Sequence, residues 1–172
     1  MRRQHGAGAR FDTVPCKGAA MKHRIWGLVI AAMFVVSTAA TSEAQERGTP
    51  EQAKALCERA LLHIKEVGPA VAIKDFNDPN GGYIDHDLFV IVYDPNGTIM
   101  TGVPALIGKD ARSLTDVTGK EFGKEIIDAA HTHDGSWVEY HMTNPVTKKV
   151  ELKSSYIRSF GDYVVFVGAY KA

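Results

Sequence analysis

The sequence predicts an α+β domain in which one long helix lies along an antiparallel sheet of about five strands. Three observations carry this expectation. The stretch Gly135–Lys171 reads as three strands in succession, rich in β-branched and aromatic residues and separated by turn formers at 144–147 and 160–162. Strands joined by turns this short must run antiparallel. Between residues 49 and 74 the apolar residues recur at helical spacing behind a strong start signal. Between these two blocks, an apolar run and a Pro-Asn-Gly turn mark a further pair of strands.

The first 44 residues stand apart from this pattern. Lys22-His23-Arg24 precedes an uncharged run, Ile25–Val36, and small residues lead to Ser42-Glu43-Ala44. This is the plan of a secretory signal peptide over 21–44, with cleavage expected after Ala44. The run has 12 residues, and a membrane span needs about 20. An uncleaved N-terminal membrane anchor is the alternative. Residues 1–20 have no pattern of their own and precede Met21, so they read as a start assigned too early. The folded domain is therefore expected over 45–172, located in the periplasm or secreted, with no stable membrane insertion once the leader is removed.

Charge narrows the partners. The whole chain has 20 Lys/Arg and 20 Asp/Glu; residues 1–44 hold six and two of these, which leaves 14 against 18 and a net of −4 for the domain. A mildly acidic domain without a basic cluster is not built for nucleic acid or for anionic membrane surfaces. Cys57 is the one cysteine after residue 44, which excludes an internal disulfide there; its place on an apolar helix face reads as a buried, inert thiol.

Taken in order, Thr49-Pro50-Glu51-Gln52 combines an N-cap, a proline at the first helical position and a capping box. Ala53, Leu56, Cys57, Ala60, Leu61, Ile64 and Val67 form the apolar stripe. Pro69, after Gly68, should kink a helix that continues to about Lys74, about 35 Å in all at 1.5 Å per residue. Asp75–Asp87 reads as a loop. Leu88–Asp94 reads as a strand covered on both faces, turning at Asp94–Gly97 into a return strand, Thr98–Gly102. Val103–Thr118 is irregular, and a loop of this length is often functional. Thr118–Glu121 reads as a second capping box, opening a helix with Phe122, Ile126, Ala129 and Ala130 on one stripe. The three closing strands are Ser136–Met142, Val150–Ser159 and Tyr163–Tyr170. Trp137, Tyr140, His141, Lys153 and Tyr156 on the first two could wall a site for a small anionic ligand.

Two other chemistries have the residue types but not the arrangement. His131-Thr132-His133-Asp134, with His86 as a distant helper, has the residue types for a divalent metal but lacks a third strong ligand nearby. Lys153 and Ser155 share strand parity yet lie about 7 Å apart, two strand rises, and no nucleophile elbow occurs. No metal, no cofactor and no catalysis are expected.

The ordered set of an Asp94-x-x-Gly97 turn, Gly102, Leu106–Asp110, Asp116 with Gly119-Lys120, Trp137, Asn144-Pro145, Lys153–Tyr156 and Gly168-x-Tyr170 resembles the single Cache domain family. This resemblance spans about residues 49–171. It implies a PAS-like fold with a long N-terminal helix on a central antiparallel sheet, and an extracytoplasmic domain that senses small molecules. The implied ligand is a small organic one, a short carboxylate above all. The implied binding residues are Tyr83, Tyr93, Thr101, Trp137, Tyr140, Lys153 and Tyr156, with Lys153 neutralising the carboxylate. The implied partners are a membrane sensor protein or a second copy. The alternative function is a structural or interaction module that dimerises through the long helix without a ligand. Two departures bear on the ligand. Met100-Thr101-Gly102 stands where members often carry Ala-His-Gly, and Gly161-Asp162-Tyr163 where they often carry Trp-Asp-Trp. No kinase or methyl-accepting segment follows Ala172, so any signal is expected to pass through a partner.

Overall fold

The helix begins as its capping box dictates. The Thr49 side chain accepts from the Gln52 N–H, and the Gln52 side chain accepts from the Thr49 N–H at 2.7 Å. The computed structural model describes residues 47–132 and 135–171. The signal peptide, the alternative start and half of the His131–Asp134 motif lie outside the described residues.

Helix α1, Pro50–Val67, ends at Gly68, which takes φ 80° and ψ 158°. Helix α2, Pro69–Asn77, follows at once. The expected kink is thus a full break, because Gly68 leaves helical geometry and Pro69 restarts the chain at a first helical position. Six of the seven stripe residues are buried, Ala53 through Ile64. Val67, in the last turn of α1, is 38% exposed.

Strand β1, Ile84–Asp85, pairs with β2, Leu88–Phe89, inside what the sequence marks as loop and strand start. His86, at φ 58°, turns the chain between them. The expected strand Leu88–Asp94 is divided at Val90, and β3 resumes at Ile91–Tyr93. The division has a cause: the Val90 carbonyl accepts from the Thr101 hydroxyl at 2.9 Å. The Asp94–Gly97 turn forms, with Gly97 N–H donating to Asp94 O at 2.8 Å. Its return segment runs beside β3 through Met100 N–H to Val92 O, at 2.8 Å, but does not become a strand. Ile99 instead exchanges hydrogen bonds with Gly108 and Lys109, so the 103–118 loop takes its other edge.

That loop contains two 3-10 turns, Pro104–Leu106 and Ala111–Ser113. Helix α3, Phe122–Thr132, starts after the predicted capping box. Thr118 does not cap it; the Thr118 N–H and hydroxyl both donate to Asp116 Oδ1, at 2.8 and 2.6 Å. Strands β4, Ser136–Thr143, β5, Val150–Phe160, and β6, Tyr163–Tyr170, keep their predicted bounds to within one residue.

The main sheet has the order β3-β6-β5-β4, antiparallel throughout, with residues 98–100 as a partial fifth member. α1 and α2 cover one face, where Ala60, Leu61, Ile64 and Phe76 pack on Val90, Val92, Val165 and Val167. Cys57 belongs to this layer, with its thiol 3.5 Å from the Val165 carbonyl. Burial pushes the thiol up to about 12. α3 and the 94–121 segment cover the other face, over Ile91, Tyr93, Val138, Tyr140, Ile157 and Phe166. This is the predicted α+β class, with a helix along an antiparallel sheet.

Candidate functional site

Strand alternation sends Lys153 and Ser155 of β5, Tyr140 and Met142 of β4, Phe166 of β6 and Tyr93 of β3 to the face away from α1. There they meet Val103 and Leu106 from the first 3-10 turn, Leu114, and Phe122 from α3. The rings interlock: Phe122 stacks on Tyr140 at 4.2 Å and 5°, and Tyr93 meets Phe166 edge-on at 4.9 Å. The cavity they enclose has about 20 Å³, room for about one water molecule.

Lys153 is the charged group of this interior, 1% exposed. Its ammonium sits 4.2 Å from the centre of the Phe89 ring and 4.5 Å from that of Tyr170. These are cation–π distances, and among the described residues it forms no ion pair. Burial pulls its pKa down to about 7, and the nearby charge of Asp87 opposes the shift in part. Asp87 is itself fully buried. Its Oδ1 accepts from Gly48 N–H at 2.7 Å and its Oδ2 from the Asn144 amide at 3.2 Å. The same Asn144 amide donates to Glu151, which Arg47 grips through two hydrogen bonds of 2.9 and 3.0 Å.

Three hydroxyls complete the polar lining. Thr101 is spoken for as a donor by Val90 O but keeps an acceptor site. Tyr140 shares a 3.0 Å hydrogen bond with Ser155. Burial pushes Tyr140 up to about 12 and Tyr93 well above the ordinary phenol value, so both stay neutral donors. One buried cation, neutral hydroxyls and apolar walls make a place for a single negative charge on an otherwise apolar molecule.

Of the seven sequence-derived site residues, the structure brings four together here: Tyr93, Thr101, Tyr140 and Lys153. The other three lie on the helix side of the sheet. Tyr156 donates to Glu58 at 3.0 Å and packs with the α1 layer. Trp137, 42% exposed, leans on Tyr156 at 5.1 Å. Tyr83 stacks on His63 at 5.1 Å and meets Phe76 edge-on at 4.6 Å. His141 is drawn to Asp116, which accepts its backbone N–H at 2.9 Å. The reason is the two-residue period of a strand: Trp137 and Tyr140, like Lys153 and Tyr156, are three apart and must face opposite ways. The same count, stepping back from Tyr93, reaches Ile91 and Phe89, two lining residues that sequence reasoning did not name. Asp87 left a fainter trace, because its role depends on Gly48 and Asn144, both distant in sequence.

His86 Nδ1 pairs with Asp85 at 2.6 Å. No cluster of three or more metal-binding side chains occurs among the described residues. Among the same residues no helix is long and apolar enough to cross a membrane.

The arrangement has known relatives in shape. The chain superposes on a methyl-accepting chemotaxis protein from Vibrio parahaemolyticus with a TM-score of 0.60 at 20% identity, covering 70% of this chain and 86% of that one. A Cache chemosensory domain solved for its recognition of carboxylic acids gives 0.59 at 16% identity, covering 71% and 92%. The periplasmic sensor domain of a chemotaxis protein gives 0.53 at 19%, covering 71% and 90%. These likenesses establish the fold. A comparison with curated protein sequences finds no match. The profile of the family described as single Cache domain 2 matches residues 21–171, and the chain belongs to that family.

Proposed function

We propose that the domain is an extracytoplasmic sensor module, periplasmic or secreted, that binds a small organic carboxylate at Lys153 without catalysis. One observation carries the reading: a lysine ammonium sealed in an apolar interior and held by rings rather than by a carboxylate. A cation placed so is costly unless an anion completes it. Tyr93, Thr101 and Tyr140 would orient the carboxylate through their hydroxyls. The fold shared with a domain that recognises carboxylic acids supports the same ligand class.

A second reading is favoured by one observation, the smallness of the cavity. At about 20 Å³ it must open before any acid fits. On that reading the domain is an interaction module whose long helix pairs with a second copy; Leu62, Val67 and Val71 are its exposed apolar residues on α1 and α2.

Thermal unfolding against a panel of carboxylates, amino acids, amines and purines separates the two. A ligand at a hundred times its dissociation constant adds about 2.7 kcal/mol to the folded state, which moves the midpoint by several degrees. A rise with acids alone, lost in Lys153→Ala, is the expected result. Silence across the panel, together with a dimeric mass in solution, would replace it with the second reading.

A further inference from the structure

Beside this small cavity lies a larger groove of about 470 Å³, and the two share Phe89 and Val103 as lining residues. The groove is apolar. Phe76, Ile84, Ile107 and Val146 line it, and the last three of these are 44, 42 and 41% exposed. Large apolar side chains that converge on a groove while exposed to water mark a surface made to be covered. Its size falls within the range of small-molecule sites.

The Phe89 ring borders both spaces, whereas Lys153 borders only the cavity. The ammonium lies 4.2 Å from the centre of that ring. Phe89 ends a strand of two residues, and the next carbonyl, Val90 O, is held by a threonine hydroxyl rather than by the sheet ladder. Phe89 thus lines both the space beside the buried ammonium and the apolar groove, and it sits on a short, weakly laddered segment.

We propose that the ligand is a free monocarboxylic acid with a linear apolar tail long enough to reach from Lys153 into the groove. Its head group meets Lys153 after the Phe89 ring turns aside, and its tail lies in the groove along Ile84, Ile107 and Val146. The inference rests on the carboxylate reading of Lys153 and adds the part of the ligand that the 20 Å³ cavity has no room for. Charge complementarity fixes the head, and the shared wall fixes where the tail leaves.

Binding of the linear acids from acetate to octanoate to the whole protein, followed by titration calorimetry, tests it. Each methylene buried in the groove should tighten binding about four-fold, and octanol, with the same tail and no charge, should bind far more weakly than octanoate. Ile107→Asp and Val146→Asp, two substitutions at exposed positions that the fold can carry, should each flatten the dependence on chain length. Affinity that is greatest for acetate and falls with length would overturn the tail and leave the carboxylate at Lys153 standing. Octanol binding as tightly as octanoate, or octanoate affinity unchanged in Lys153→Met, would overturn the reading of Lys153 itself. Absence of binding by every acid would overturn both.

Discussion

The stem of Lys153 occupies the space that a side chain at Gly168 would need. A Cβ there would stand 2.5 Å from Lys153 Cε, 3.0 Å from its Cγ and 2.3 Å from Ser155 Oγ. Gly168 is the register partner of Ser155 on the neighbouring strand. Its φ lies outside the left-handed region, so room and not backbone freedom is what the glycine supplies. A buried lysine can lie flat on this sheet because the residue beside it has no side chain.

Gly168→Ala should therefore displace Lys153. Overpacking a filled core costs about 1–3 kcal/mol. The expected outcome is a lower urea midpoint and weaker carboxylate binding in the same variant. Wild-type values for both would show that the lysine stem does not depend on that space.

Lys153→Met should stabilise the protein while abolishing carboxylate binding. The native pKa of Lys153 is near 7, below the ordinary lysine value of 10.5. Between these values the unfolded chain binds more protons than the native one, so this group makes stability rise with pH across the window. Its penalty is complete below about pH 7. A well-packed neutral replacement of a buried charge gains about 1–4 kcal/mol. Urea midpoints at pH 6, 8 and 10 should show the largest gain at pH 6 and the smallest at pH 10. A loss of stability at pH 6 would contradict the account.

Carboxylate binding should weaken as pH rises above about 7. An anion beside Lys153 holds it protonated, so above its free pKa of about 7 binding must take up a proton, at up to about ten-fold in affinity per pH unit. Calorimetry in buffers of different ionisation enthalpy reads this uptake directly. A flat profile from pH 6 to 9 would mean that the lysine charge does not meet the ligand.

Asp116→Asn should destabilise the protein at neutral pH and less so in acid. The Asp116 side chain is 1% exposed. It accepts from the Thr118 hydroxyl and from the N–H groups of Thr118, Lys120 and His141. The Thr118 hydroxyl bond first, then the His141 N–H, hold its carboxyl well below the usual range. Such a group contributes stability above its unfolded value, 3.8, which is lost as pH falls through and below it. An amide offers one acceptor oxygen in place of two. Unfolding midpoints of variant and wild type should differ by a constant amount from pH 7 down to about the unfolded value of 3.8, and the gap should narrow only below it, as pH falls toward the lowered native value.

The elements whose signals are local are legible in the sequence. The Thr49–Gln52 box starts α1 as its residues specify, and the three closing strands keep their bounds because turn formers punctuate them. What escaped depends on partners far along the chain. Val90 breaks a strand that reads as continuous because Thr101 takes its carbonyl, and Asp116 organises a turn that reads as a helix cap because His141 lies 25 residues on. Trp137 and Tyr156 resemble Tyr140 and Lys153 as ligand-site residue types on the same two strands, yet strand parity separates them. Gly168 was visible as part of a motif, but its reason, the stem of Lys153, requires β5 and β6 side by side.

Cys57 gives the domain a built-in clock. Its thiol is fully buried beneath Val165, with a pKa near 12 that keeps it protonated and unreactive in the closed state. Reagent can reach it only when α1 lifts from the sheet. With Cys16 replaced by serine, the rate of Cys57 modification would count those openings, in the manner of amide exchange but at one chosen seam. Because α1 and Lys153 lie on opposite sides of the same four strands, slower labelling on addition of an acid would register, from behind the sheet, that its far face had been filled.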